Sequence, residues 1–72
     1  MKVLVVTTKN PAKRFLVELH TDRLVREVAI LVGKRRHSEA IKTILAKGRI
    51  EREVTDNELK TVKADLILTE EK

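Results

Sequence analysis

No cysteine occurs anywhere in this chain of 72 residues, so neither a disulfide nor a thiolate-bound metal can support its fold. A chain of this length buries only about 60% of the surface that it exposes when unfolded. Stability must therefore come from tight packing, ion pairs or self-association, and we expect one domain spanning residues 1–72 that forms a homodimer. The two histidines have no paired spacing, so we expect no metal and no cofactor.

The first residues, MKVLVVTTK, hold only a short apolar run. A signal peptide needs an apolar stretch of roughly 7–15 residues and a membrane span needs about 20. We therefore expect a cytoplasmic protein with no membrane partner. Charged residues make up 38% of the chain and glutamine is absent, a pattern that is compatible with a thermophilic source.

Positive charge is concentrated in the first part of the chain. Residues 1–50 hold twelve Lys or Arg against four Asp or Glu, a net charge of +8, while residues 51–72 hold four against seven, a net charge of −3. A basic body of this kind favours a polyanionic partner, of which nucleic acid is the commonest. We expect a nucleic-acid-binding protein.

The spacing of apolar residues predicts the elements. The run KVLVV predicts a buried strand. Asn10 and Pro11 suit a helix start, and the residues that follow at i, i+3, i+4 and i+7 predict a helix: Ala12, Phe15, Leu16 and Leu19. EVAILVG fits a strand or a helix, and the alternation of elements favours a strand. Ser38 is expected to cap a helix over EAIKTILAK that ends at a left-handed Gly48.

The last two apolar segments, RIEREV and TVKADLILT, are expected to pair as a hairpin around TDNELK. The predicted order is β-α-β-α-β-β. This order gives an α+β fold, a two-layer α/β sandwich with two helices packed on one face of a mixed four-stranded sheet. Helices would then cover one sheet face only, which again suggests a second subunit over the apolar first strands.

Two basic loops follow the predicted first and second strands. Strand-to-helix loops of open α/β sheets lie at one edge, beside helix N-termini that favour anions. The candidate nucleic-acid-binding residues are those of the two loops together with one lysine of the second helix: Lys9, Lys13, Arg14, Lys34, Arg35, Arg36 and Lys42. Phe15 is the only aromatic residue and is assigned to the core, so contacts to the phosphate backbone are expected rather than base stacking.

The chain resembles the Alba family of archaeal chromatin proteins. TKNPAKRFLV is similar to the family's first loop, where a Lys-Lys-Pro follows the first strand; Lys9 and Pro11 match, and Asn10 replaces the second lysine. EVAILVGKRRHSEAIK is similar to the family's EVVIKARGRAISKAVD, with Gly33 at its glycine and Val32 in place of an arginine. TVKADLILTEEK is similar to the last strand.

The resemblance implies a homodimer that binds duplex DNA, and often RNA, without strong sequence preference, and that acts as a nucleoid-associated architectural protein. It also implies that loop lysines contact the nucleic-acid backbone and that β3–β4 hairpins reach along the minor groove. Here the hairpin segment is short and acidic, carrying Glu51, Glu53, Asp56 and Glu58. This departure from the family pattern weakens the expected arm contacts.

Two DNA-binding alternatives stay open. A winged helix would use residues 22–33 and 38–47 as helices and GRIEREV…LILTEE as the wing. A ribbon–helix–helix regulator would use RFLVELH as its strand, against the expected helix cap at Asn10. A protein-interaction module that does not bind nucleic acid is a third alternative.

An enzyme is not expected. TKNPAK fits the T-x-N-x-x-K pattern that opens the inosine-triphosphate pyrophosphatase family, but that family needs a longer chain and metal-binding carboxylates that have no counterpart in this sequence. His37 and Ser38 are adjacent in sequence, and no acidic residue is placed to orient them as a triad.

Overall fold

The computed structural model describes residues 1–7 and 13–70, which form one sheet and two α-helices. The elements in chain order are β1 (Lys2–Val6), β2 (Arg14–Glu18), α1 (Asp22–Gly33), α2 (His37–Lys47), β3 (Arg49–Glu53), a 3-10 turn (Asp56–Glu58) and β4 (Leu66–Thr69). The predicted α+β class, with two helices on a mixed four-stranded sheet, is confirmed. The predicted order of elements is corrected to β-β-α-α-β-β.

The strands lie in the order β3-β2-β1-β4. β1 and β3 both pair antiparallel with β2, and β4 pairs parallel with β1. The expected hairpin between the last two strands is therefore wrong, because β3 and β4 form opposite edges of the sheet.

β2 replaces the helix that the sequence pattern predicted after Pro11. Phe15, Val17 and Leu19 alternate toward the helices, whereas Leu16 is buried on the other face of the sheet. Both faces of this strand are covered, so its apolar residues run continuously and fit a helical spacing as well as an extended one. The segment forms a strand because β1 pairs with it on one side and β3 pairs with it on the other.

α1 replaces the strand that was expected over EVAILVG. The side chain of Thr21 caps the helix, accepting a hydrogen bond from the Leu24 N–H at 3.1 Å. Leu24 and Val28, four residues apart, are buried, while Ala29 and Ile30 are exposed. The expectation failed because a cap at Thr21 was not recognised. α2 is confirmed, but it begins at His37, so Ser38 lies inside the helix and the expected cap at Ser38 is wrong.

The main core lies between the sheet and the helices. Its fully buried residues come from three strands, from the segment after β2 and from both helices: Val3, Val5, Val17, Leu19, Leu24, Val28, Ala40, Ile41, Ile44 and Leu68. Both helices therefore pack on one face of the sheet, as predicted. Over residues 1–7 and 13–70, no helix has the length and apolar character needed to cross a membrane.

The opposite face of the sheet is covered by the chain itself. Residues 54–65, here called the crossover segment, connect the two edge strands across this face. Val54 of this segment packs with Leu4 and Leu16, and all three are buried. Ion pairs from Arg14 to Asp56 and from Arg52 to Glu58 fasten the segment to the sheet. A second subunit is therefore not needed to cover the central strands on this face.

Candidate nucleic-acid interface

Chain direction brings Lys13 and the turn between the helices to the same end of the molecule. β1 ends and β2 begins at this end, where the Thr7 N–H donates to the Lys13 carbonyl at 2.8 Å. α1 starts from the opposite end, and its 12 residues span about 18 Å. A five-residue strand spans about 17 Å, so α1 is long enough to extend from one end of the sheet to the other. α2 then returns toward Glu18, next to which Gly48 lies.

The turn between the helices consists of three consecutive cations, Lys34, Arg35 and Arg36, here called the basic turn. The Arg36 N–H donates to the Leu31 carbonyl at 2.9 Å and the Arg35 N–H to the Val32 carbonyl at 3.0 Å. This pair of hydrogen bonds is a Schellman motif, whose C′ residue has a left-handed backbone and is usually glycine. Here the C′ residue is Arg35, with φ of 59°. An arginine thus occupies a backbone conformation that glycine adopts more readily than residues with side chains.

The cations of the basic turn are exposed to solvent. Arg36 forms an ion pair with Glu39 at 3.6 Å, and both side chains are more than half exposed, so the pair is weak. Lys34 and Arg35 form no ion pair with any residue in the described ranges 1–7 and 13–70. Two cations are therefore available to an external anion.

The helix pair, residues 22–47, carries most of the net charge. It holds seven Lys or Arg against three Asp or Glu, a net charge of +4, whereas the whole chain carries +5. Lys42 is exposed on α2. Arg23 and Arg26 are exposed on α1. They were missed as candidate residues because the favoured fold did not place them in a helix, although the winged-helix alternative did. Their i, i+3 spacing is the signal that could have found them.

The other candidate residues fall in different surroundings. Lys13 is exposed at the same end as the basic turn. The Arg14 side chain is only 27% exposed and pairs with Asp56 of the crossover segment, on the sheet face away from the helices. Lys9 lies outside the described residues. The structure therefore brings Lys13 to the end where the basic turn lies but turns Arg14 away from it.

Other kinds of site find little support in the described part of the chain. No cluster of three or more His, Cys, Asp or Glu is suitable for a metal ion there. Phe15 packs against the core, which leaves no aromatic side chain free among these residues for stacking on a base. A cleft of about 380 Å³ lies at the far end of the helix pair, lined by His20, Thr21, Arg23, Leu24, Glu27 and Lys47. The Glu27–Lys47 ion pair lies in the wall of this cleft.

Comparison with known proteins identifies no relative: neither a family model, nor a curated protein, nor a solved structure matches the chain. The predicted element order β-α-β-α-β-β, which formed part of the Alba resemblance, is not found. The proposal below therefore depends on the distribution of charge and not on that resemblance.

The structure fits neither of the two DNA-binding alternatives completely. The winged-helix interpretation placed α1 correctly, but β3 and β4 are not paired and form no wing. The order β2-α1-α2 is that of a ribbon–helix–helix chain. However, such a protein pairs its strand with that of a second copy, and β2 is already paired on both sides.

Proposed function

We propose that the protein binds the phosphate backbone of nucleic acid, without sequence preference, through the basic turn and the exposed cations of the helix pair. The observation that carries this proposal is that Lys34 and Arg35 are exposed and have no ion-pair partner in the described residues. Both belong to the helix pair, whose net charge is +4. Many proteins obtain their nonspecific affinity in this way, since each phosphate that is neutralised releases condensed counterions.

The distribution of acids supports the same surface. On the crossover side of the sheet, Lys2, Arg14 and Arg52 are each paired with a carboxylate, those of Glu51, Asp56 and Glu58 respectively. A polyanion that approached this side would compete with these carboxylates. The helix pair holds five cations without an ion-pair partner among residues 1–7 and 13–70: Arg23, Arg26, Lys34, Arg35 and Lys42. The crossover segment holds two, Lys60 and Lys63, among three acids, so the helix pair is the favoured docking side.

A duplex is the favoured substrate form. Proteins that bind single strands without sequence preference combine basic grooves with aromatic platforms, and the single aromatic residue, Phe15, is committed to the core. Backbone phosphates are presented by DNA and RNA duplexes alike, so we expect binding to both.

A salt titration tests this function. Binding of a fluorescent duplex is measured by anisotropy from about 0.05 to 0.5 M salt, and log K is expected to fall linearly with log salt. At about 0.9 log unit per contact, three contacts from the basic turn give a slope of about −2.7 or steeper. A slope near zero, or no binding at the lowest salt, would refute the proposal. DNA and RNA duplexes of equal length show whether one of the two is preferred.

A further inference from the structure

The two edges of the sheet differ sharply in chemistry. Four of the five residues of β3 are charged: Arg49, Glu51, Arg52 and Glu53. Charges on an edge strand keep other strands from pairing with it. β4 (Leu66–Thr69) contains no charged residue. The β4 edge therefore lacks the protection that β3 carries.

Ile67 makes the β4 edge apolar as well as uncharged. Its exposed fraction is 63%, the highest among the large hydrophobic side chains of the described residues. Ile67 lies beside Leu4 in the sheet register, on the face that the crossover segment covers. The crossover segment does not extend far enough to bury Ile67.

The backbone groups of Ile67 are free to pair. The Glu70 N–H donates to the Val6 carbonyl at 2.8 Å, and Val6 lies opposite Thr69 in the register. Successive residues of a strand alternate in the side to which their N–H and C=O groups point. The groups of Ile67 and Thr69 therefore point away from β1, and no described residue forms a backbone hydrogen bond with them at the outer edge.

We propose that two copies of the chain pair antiparallel along β4, with Ile67 opposite Ile67 of the second copy. Charge favours a second copy in this orientation. The chain enters β4 past Lys60, Lys63 and Asp65, a net charge of +1, and leaves it at Glu70. None of these four residues is ion-paired within residues 1–7 and 13–70. Antiparallel pairing brings the basic entry of one copy toward the acidic exit of the other, whereas parallel pairing would bring like charges together.

This arrangement joins the two sheets into one and buries Ile67 of both copies against each other. Because the twofold axis is perpendicular to the sheet, both helix pairs lie on the same side of the joined sheet. The two basic turns then lie on one face of the dimer. The interface involves neither the basic turn nor α1, so the dimer does not depend on the proposed nucleic-acid binding.

A single cysteine tests the pairing, because the chain has none of its own. In a hydrogen-bonded antiparallel pair the Cα atoms are about 5.5 Å apart, within the range of a disulfide. We expect Ile67→Cys to form a disulfide-linked dimer in dilute oxidising solution without nucleic acid. The matched control is Ile50→Cys on β3, whose side chain is 48% exposed, and it is expected to stay unlinked.

Sedimentation of the cysteine-free protein completes the test. The parent is expected to sediment as a dimer and Ile67→Lys as a folded monomer, with folding checked by circular dichroism. Equal cross-linking of the two cysteine variants would overturn the proposal. A parent that stays monomeric at about millimolar concentration would also overturn it, because even a dimer with a dissociation constant of about 1 mM is half formed there. The proposal would be overturned too if the protein stayed monomeric and β4 paired only with a peptide of unrelated sequence.

Discussion

A protein that carries both Lys34→Ala and Arg35→Gly is expected to bind a nucleic-acid duplex about 60-fold more weakly than the parent at about 0.1 M salt. Each phosphate contact contributes about 0.9 log unit for every tenfold change in salt, so removing two contacts also flattens the slope by about 1.8. Because these contacts are made to the backbone, the loss should be the same for duplexes of different sequence.

Glycine is used at position 35 because the backbone there has φ of 59°, which glycine adopts without strain. The fold is therefore kept while the charge is removed. The matched control is Lys60→Ala with Lys63→Ala, which removes the same charge from the crossover segment. Long-range electrostatics are screened beyond about 10 Å at 0.1 M salt, so this control should bind nearly as the parent does. Sedimentation checks that the control keeps the parent's oligomeric state, because the same two lysines flank the proposed β4 interface. Arg35→Lys keeps the charge and should bind nearly as the parent does. Equal losses from the two double variants would show that the basic turn is not the contact surface.

Gly48→Ala is expected to destabilise the protein by about 2–3 kcal/mol, which in a domain of this size lowers the Tm by roughly 10–20 °C. The sequence pattern predicted a left-handed Gly48, and this prediction is wrong: φ is −76° and ψ is 167°. Glycine is needed here for close packing. A Cβ at this position would lie 2.6 Å from both the Ile44 carbonyl oxygen and the Val17 Cγ1. Neither α2 nor β2 can move away without disturbing the core.

Gly33→Ala is the matched control for this substitution. Gly33 is the last residue of α1, its φ is not positive, and a Cβ there would meet nothing within 4 Å. Alanine should therefore stabilise the protein by about 0.5–1 kcal/mol. Urea denaturation of both variants measures the difference. If Gly48→Ala were neutral, the close contact between the end of α2 and β2 would be contradicted.

Elements whose apolar pattern fits only one type of secondary structure were predicted correctly from the sequence. α2 carries a clear apolar stripe over Ala40, Ile41 and Ile44, and β1 is a short β-branched run, so both were found. α1 and β2 were exchanged in type because their apolar residues fit both periods. In β2 this follows from burial on both faces, and in α1 from a run of six uncharged residues, 28–33, that hides the boundary of the helical stripe.

Sheet order could not be deduced either. The hairpin that was expected for the last two strands is replaced by the crossover segment. The only apolar residues of this segment that pack on Leu4 and Leu16 are Val54, Val62 and Ala64, and three such residues are too weak a signal to predict its path. The same is true of the candidate site. Clusters of cations are visible in the sequence, but whether a cation is ion-paired depends on the fold. Arg14 pairs with Asp56, whereas Arg35 has no ion-pair partner among the described residues.

Backbone chemical-shift mapping is the most direct measurement of the central claim. Uniformly ¹⁵N-labelled protein is titrated with a short unlabelled duplex at low salt, and the amide signals that shift or broaden are assigned. We predict that they cluster at Lys34, Arg35 and Arg36 and extend along the exposed side of the helix pair to Arg26 and Lys42. Shifts confined to the crossover segment, or no shifts at duplex excess, would contradict the account.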